Sequence, residues 1–364
     1  MLDPGVEDVR TGEPWRMELP RLPNGLIRFA DVREAGLQRT LAADLAARRI
    51  VRVRRGVYVD APPLGTPEWR RDELRHTHLV SAAAESMRAP VFTGFSALAL
   101  LGLPSFGRWP RDVCVLADGP TGHRRPGVVA VAAPRPPDVE RVQGGMFVTS
   151  VEFALVQACR VGTLAAALAA VDAALWVPSG AGRAPLTTIE RLLGEHERLM
   201  PYPGSRRTEA VLVRATSRSQ TVLETVSRLV IEECGFQAPV LQESFRLDEL
   251  AMTADVDFWW PSVRAIGEAD GRGKYLAGAT AHGSAVPAGE SLVSAIAARA
   301  VIREKDRENA LRRRVTSMDR WDWTDMVRKD PLEQRLLAMG VPRTRQRRAL
   351  VGSPEASVLR SDRA

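Results

Sequence analysis

Hydrophobic and polar residues in the segment 25–60 follow two helical periods and then an alternating pattern. The first helical period covers 29–35, and the second covers 37–49 with its leucines on one face. The run IVRVRRGVYV then alternates as a β-hairpin does, with Gly56 at the bend. Helix, turn, helix and basic hairpin is the element order of a winged helix-turn-helix, which we predict for this segment.

A winged helix binds DNA with its second helix in the major groove, while cationic side chains hold the phosphates. The candidate DNA contacts lie at the start of the second helix and on the hairpin: Gln38, Arg39, Thr40, Arg52, Arg54 and Arg55. Small units of two helices and a hairpin are also common structural elements, and a run of charge usually marks a solvated face. Both interpretations stay open.

The rest of the pattern predicts an α+β multidomain protein. A flexible arm (1–24) precedes the winged helix, and a linker (61–75) that leads into a helix follows it. A mixed α/β middle domain (76–205) carries no recognisable chemistry, so a scaffold or a surface for a protein partner is favoured. The segment 217–340 follows the order helix, three strands, helix, strand, helix, and the arginine-rich 341–364 is predicted to be a disordered basic tail.

Composition narrows the class of protein. With 364 residues the chain is expected to form more than one domain, and 45% hydrophobic with 26% charged residues excludes a fully disordered or collagen-like chain. Lys and Arg (51) exceed Asp and Glu (44), which favours a polyanionic partner such as DNA. The three distant cysteines form no disulfide or metal-binding pattern. With no signal peptide or membrane span expected, we predict a cytoplasmic protein without a membrane partner.

The segment ADVDFWWPSVRAIGEADGRGK carries the most chemistry. If its Pro-Ser-Val turn joins two strands, Asp257 faces Glu268 and Asp255 faces Asp270, and all four carboxylates lie on one side of the sheet. At roughly 5 Å and an effective dielectric constant near 20, each facing pair costs about 3 kcal/mol. A divalent cation would relieve this repulsion. Oxygen ligands without Cys or His predict Mg²⁺ or Mn²⁺.

Two further residues complete the predicted site. Lys274 follows the acidic pair closely and is placed to position a nucleophile or to stabilise developing charge. Glu224 lies on the preceding amphipathic helix and is expected to reach the same metal or to order its water shell. Two simpler alternatives remain: an acidic solvent-facing hairpin shows the same alternation, and Thr221 with Glu224 fits a helix-capping box.

These residues resemble the PD-(D/E)XK nuclease superfamily, with the very-short-patch-repair-like endonucleases as the most similar branch. The resemblance rests on Glu224 in a helix, Asp257 in a strand, Glu268-Ala269-Asp270-Gly271 in the next strand, the nearby Lys274, the approach Gly235-Phe236 … Pro239 … Gln242 and the later runs REKDRENALRR and WDWTDM.

The resemblance implies a restriction-endonuclease-like αβββαβ domain that hydrolyses phosphodiester bonds with Mg²⁺. Asp257 and Glu268 would hold the metal, Glu224 would support the metal and its waters, and Lys274 would contact the phosphate or the attacking water. Asp270, also a catalytic candidate, stands where the superfamily has its motif lysine. Lys274 has therefore migrated, or the site is weakened.

The N-terminal segment and the middle region, including FSALALLGL and VTSVEFAL, resemble AbiEi-type antitoxins of type IV toxin–antitoxin systems. Two functions follow as expectations. The first is a DNA-binding, Mg²⁺-dependent endonuclease in phage defence or DNA repair. The second is a non-catalytic transcriptional regulator or antitoxin-like protein with a degenerate nuclease fold. A cognate toxin or another protein is a possible partner of the middle domain.

Overall fold

The computed structural model describes residues 17–178, 182, 184–271 and 290–359. The chain divides into two compact units. The first holds the described residues of Met1–Gly102 and Arg108–Ala154, and the second holds those of Leu103–Gly107 and Leu155–Ala364.

Both units contain helices and strands, as the predicted α+β class requires. The division falls just after Ala154, and not near 205–217 where the sequence pattern changes. The predicted winged helix and the first part of the predicted middle domain therefore share one unit. Among the described residues, no helix is long and apolar enough to cross a membrane.

The first unit begins with two helices and a hairpin in the predicted order. The elements are β1 (Ile27–Arg28), α1 (Phe29–Glu34), α2 (Gln38–Ala46), β2 (Ile50–Arg54) and β3 (Val57–Asp60), and the strands pair in the order β1-β3-β2. Leu41 of α2 packs with Ile27, Val32 and Ile50 in one buried cluster. The hairpin bends at Gly56, whose φ of 77° favours glycine.

Two predicted boundaries of this region need correction. Leu19, inside the predicted flexible arm, is 4% exposed and belongs to the same cluster, so the arm does not extend through 17–24. The helix that follows the predicted linker begins at Glu68, so 68–75 is helical. That helix, α3 (Glu68–Ser86), packs through Ala82 against Val57 and Val59 of the hairpin.

The first unit continues as a six-stranded sheet of order β6-β7-β5-β4-β9-β8. Its elements are β4 (Val91–Phe92), α4 (Gly94–Leu100), β5 (Val113–Leu116), β6 (His123–Arg125), β7 (Val128–Val131), β8 (Val139–Arg141) and β9 (Phe147–Thr149). His76 of α3 is fully buried against this region, stacked on Trp109. Its Nδ1 donates to the carbonyl of Pro110 at 2.9 Å, because a carbonyl can only accept.

The helices α5 (Val151–Val161), α6 (Leu164–Leu175), α7 (Ile189–Leu199) and α8 (Ser205–Leu212) follow. Thr163 and Thr188 cap α6 and α7 by accepting backbone N–H groups. Asp172 of α6 is 1% exposed and binds the Arg228 guanidinium and the Thr225 hydroxyl. Burial raises the pKa of Asp172, and Arg228 offsets part of that rise.

The second unit ends in a four-stranded sheet of order β10-β11-β12-β13 with helices around it. Its elements are α9 (Val222–Glu233), β10 (Val240–Leu247), β11 (Met252–Trp260), β12 (Ala265–Ala269), α10 (Glu290–Arg312), β13 (Ser317–Trp321), α11 (Trp323–Arg328) and α12 (Asp330–Ala338). Adjacent strands are antiparallel except β12 and β13, which are parallel. Val256, Phe258 and Trp260 alternate inward along β11, as the pattern predicts.

The prediction of a disordered tail is wrong for 341–359, while 360–364 lies outside the described residues. Val341, Val351 and Val358 are buried. Glu233 of α9 accepts the backbone N–H groups of residues 350 and 351 at 3.0 and 2.8 Å. Carboxylates from α9 and α12 pair with the tail arginines (Glu232 with Arg348, and Glu333 with Arg343 and Arg347), so intramolecular ion pairs neutralise the charge that suggested disorder.

Candidate functional site

The strands β11 and β12 diverge at the predicted acidic site. Their described ladder pairs Trp260 with Ala265 and Phe258 with Gly267, which is the predicted register. The ladder ends there, and the next residue, Asp257, uses its Oδ2 atom to accept the Ala269 N–H at 2.9 Å. A carboxylate thus takes the place of a backbone acceptor where the strands separate. This geometry brings Asp257 next to Glu268, on the neighbouring strand.

Glu268 is 12% exposed and is bound by two guanidinium groups. Its Oε1 lies 3.2 Å from Arg307 of α10, and its Oε2 lies 3.1 Å from Arg320 of β13. Burial raises the pKa of Glu268, the two arginines lower it, and the charge of Asp257 raises it. The pKa of Glu268 is raised overall, because the cost of removing the charged carboxylate from water exceeds the stabilisation that the two arginines give. The sequence pattern did not predict that either arginine belongs to the site.

Gln242 of β10 joins the two remaining carboxylates. Its Nε2 donates to Asp257 Oδ1 at 3.0 Å and to Glu224 Oε2 at 3.2 Å. Its Oε1 accepts from Gln220 Nε2 at 2.8 Å, which fixes which end of the amide points to the acids. The Gln242 backbone has a φ of 49°, unusual for a residue with a side chain. The sequence marked Gln242 only as part of the approach to the first strand.

Glu224 takes part in the cap of α9, as the simpler alternative predicted. Thr221 accepts the Glu224 N–H at 3.2 Å, and the Thr221 hydroxyl donates to Glu224 Oε1 at 2.8 Å. The backbone N–H of Gln220 donates to Oε2 at 2.9 Å. Glu224 is therefore a capping residue that also contacts Asp257 indirectly, through Gln242.

The prediction of four carboxylates side by side is wrong in part. Asp255 is exposed and accepts from the Ser244 hydroxyl on β10. Asp270 instead contacts β13. Its N–H donates to the Trp321 carbonyl at 2.9 Å, and its carboxylate lies 3.8 Å from Arg320. The two do not pair because the ladder between β11 and β12 ends at Phe258. Lys274 lies outside the described residues.

Asp257 and Glu268 remain as oxygen donors for a cation. Within the described part of the chain, no three His, Cys, Asp or Glu residues are grouped to hold a metal ion. Mg²⁺ is often bound by one or two carboxylates that are completed by water and substrate phosphates. A carboxylate has about four lone-pair positions, so one carboxylate can accept a hydrogen bond and also coordinate a metal ion. The donor pair therefore fits Mg²⁺, with Arg307 and Arg320 as competitors for Glu268.

The predicted DNA contacts occupy two surfaces of the first unit. At the start of α2, Gln38 and Arg39 are exposed and Thr40 is half-buried. On the hairpin, Arg52 and Arg55 are exposed. Arg54 is half-buried, and its Nη1 atom is inaccessible and lacks a hydrogen-bond partner among the described residues. A Cβ built on Gly127 would lie 3.7 Å from Arg54 Nη2, so this side chain is turned towards the β6–β7 turn.

Comparisons with family models, curated proteins and solved structures found no match for this chain.

Proposed function

We propose that this chain is a DNA-binding protein with a metal-dependent endonuclease domain in its second unit. The observation that carries the proposal is the meeting of Asp257 and Glu268 where β11 and β12 diverge. It is supported by the order α9-β10-β11-β12-α10-β13 with a parallel last pair, which suits a restriction-endonuclease-like αβββαβ fold.

In this proposal Asp257 and Glu268 hold Mg²⁺ or Mn²⁺. The bound ion would polarise the scissile phosphate and favour ionisation of a water molecule. Gln242 orients Asp257 and connects it to Glu224, so that Glu224 supports the site without being a direct ligand. Lys274 keeps its predicted role beside the phosphate. Asp270, held near Arg320, balances charge at the edge of the site.

In the first unit, the two helices and the hairpin act as the winged helix that binds DNA. Gln38 and Arg39 at the start of α2 face solvent and are available to base edges and phosphates. Arg52 and Arg55 of the hairpin are available to phosphates, whereas Arg54 supports the hairpin from inside. A DNA-binding unit in the same chain as a nuclease would raise the local concentration of DNA at the acids.

The test is cleavage of supercoiled plasmid by the full chain with Mg²⁺ or Mn²⁺. We expect nicking or linearisation that disappears in the double variant Asp257→Ala with Glu268→Ala. The matched control is Asp248→Ala with Glu249→Ala, which removes two carboxylates from the β10–β11 turn and should keep activity. Cleavage that survives loss of Asp257 and Glu268 would refute the catalytic proposal.

One observation favours a second candidate, a non-catalytic transcriptional regulator or antitoxin-like protein. Both oxygens of Glu268 already have guanidinium partners, which compensate part of its charge without a metal. This candidate predicts footprinting on the protein's own promoter with a steep salt dependence. Footprints should vanish with Arg39→Ala plus Arg52→Ala and persist in the Asp257 and Glu268 double variant. Co-purification of a cognate toxin would add support.

A further inference from the structure

Two adjoining hollows in the second unit are lined by arginines and lie outside the candidate site. The first has a volume of about 470 Å³ and includes Arg160, Gly204, Arg206 and Arg207 among its lining residues. The second, of about 380 Å³, shares Arg206 and Arg207 and adds the residues Arg214 and Arg348. Five arginine residues therefore line the two hollows, and Arg206 and Arg207 line both.

The turn before α8 builds this surface. Gly204 has a φ of 91°, and a Cβ there would lie 2.8 Å from the Arg160 carbonyl oxygen. Glycine is therefore required both by the backbone conformation and by the close approach. The first residues of α8, which include Arg206 and Arg207, are thereby fixed next to Arg160. Arg207 Nη1 donates to the Arg160 carbonyl at 3.1 Å.

The positive charge of the hollows is only partly neutralised. Arg214 and Arg348 share the single carboxylate of Glu232. Arg206 and Arg207 are exposed and have no carboxylate within 4 Å in the described part of the chain. No Asp or Glu is among the described residues that line either hollow. Many other arginines of this unit are paired, as Arg228 is with Asp172 and Arg335 with Asp319.

We propose that the two hollows bind the phosphodiester backbone of a nucleic acid, with Arg206 and Arg207 each holding a phosphate. A guanidinium presents paired N–H donors that match two phosphate oxygens. A surface that is concave, extended and lacks acids suits a chain of regularly spaced anions better than a single small one. The proposal rests on the proposed function in taking DNA as the partner, and it adds a contact surface in the second unit.

Fluorescence anisotropy of a short labelled duplex with the full chain, in EDTA and without metal, tests this surface. Salt is varied between about 50 and 200 mM, where the log–log slope reports the number of phosphates contacted. For Arg206→Ala with Arg207→Ala we expect the slope to fall in magnitude by about 2 and low-salt affinity to fall about tenfold, independent of sequence. The lysine pair at both positions should retain the slope and lose part of the affinity.

The control is Arg246→Ala with Arg313→Ala, which removes the same formal charge from exposed arginines that already pair with carboxylates. A slope for the Arg206 and Arg207 alanine pair equal to that of the native chain, or a control pair that changes it equally, would overturn the proposal. Poly-glutamate serves as a second probe. If the Arg206 and Arg207 alanine pair loses poly-glutamate binding while its duplex affinity is unchanged, the proposal is also overturned, because the surface would then bind an acidic protein. Because no metal is present, failure of catalysis leaves this result unaffected.

Discussion

Replacing Gln242 by Met tests whether this residue orients the Asp257 carboxylate that we propose as a metal ligand. Met has nearly the same length and leaves the backbone in place, but it removes the hydrogen bonds of 3.0 and 3.2 Å to Asp257 and Glu224. Each hydrogen bond to an ionised group is worth about 1.5–3 kcal/mol. Asp257 keeps its bond from the Ala269 N–H, so we expect only about 1.4 kcal/mol to appear in metal binding, which is a tenfold higher Kd.

Isothermal titration calorimetry with Mn²⁺ and the full chain, without DNA, measures this effect. Ser244→Ala is the matched control, because it removes a hydrogen bond to exposed Asp255 on the same pair of strands. We expect the control to bind Mn²⁺ as the native chain does. If the Gln242 variant binds Mn²⁺ as tightly as the control, the bridge has no positioning role and the reasoning fails.

Three further predictions concern stability, and the first two are measured by denaturant unfolding of the full chain. Gly267→Ala should cost about 1–3 kcal/mol, because a Cβ there collides with the Trp321 ring; an unchanged midpoint would contradict this packing. Burial lowers the pKa of His76 to about 4, so its contribution is present above pH 6.5 and is lost as pH falls towards 4. His76→Gln should therefore shrink the stability loss from pH 7 to pH 5 by about 2 kcal/mol, and an unaltered pH dependence would refute it. Gly235→Ala should loosen the tail, because φ is 81° and a Cβ there collides with the Arg345 carbonyl; limited proteolysis of the tail should be faster, and an unchanged rate would contradict this packing.

Much of the terminal sheet could be predicted from the sequence because its signals are local. Alternation of large apolar residues along β11 sets one buried face, and a Pro-containing turn sets the register with β12. The extent of pairing could not be predicted in the same way. Pairing between β11 and β12 stops at Phe258, because the Asp257 carboxylate replaces the next backbone acceptor. The hydrophobic pattern does not show that a side chain will compete with the backbone in this way.

The local sequence pattern could not predict which side chains bind Glu268 and Asp257. Arg307 and Arg320 are 39 and 52 residues from Glu268 along the chain, on a helix and a strand that meet only in the folded unit. Gln242 contacts Asp257 from an irregular position of β10, where its own backbone φ is 49°. Alternation of hydrophobic and polar residues does not reveal such a position. The prediction of a disordered tail failed for a related reason. The arginine content of the tail suggested a solvated segment, whereas Glu232 and Glu333 neutralise its arginines.

The two candidate functions differ in what neutralises Glu268. A buried carboxylate whose pKa is raised despite two arginines still lacks compensation, so a divalent cation would find an incompletely satisfied ligand there. Arg320 has other acceptors within reach, at 2.9 Å in Glu304 and 3.8 Å in Asp270, and can leave Glu268 without losing every partner. Arg307 likewise retains the Asp255 carbonyl at 2.7 Å. Release of Glu268 to a metal would therefore cost less than breaking an isolated buried pair, which supports our proposal of an enzyme over that of a non-catalytic regulator.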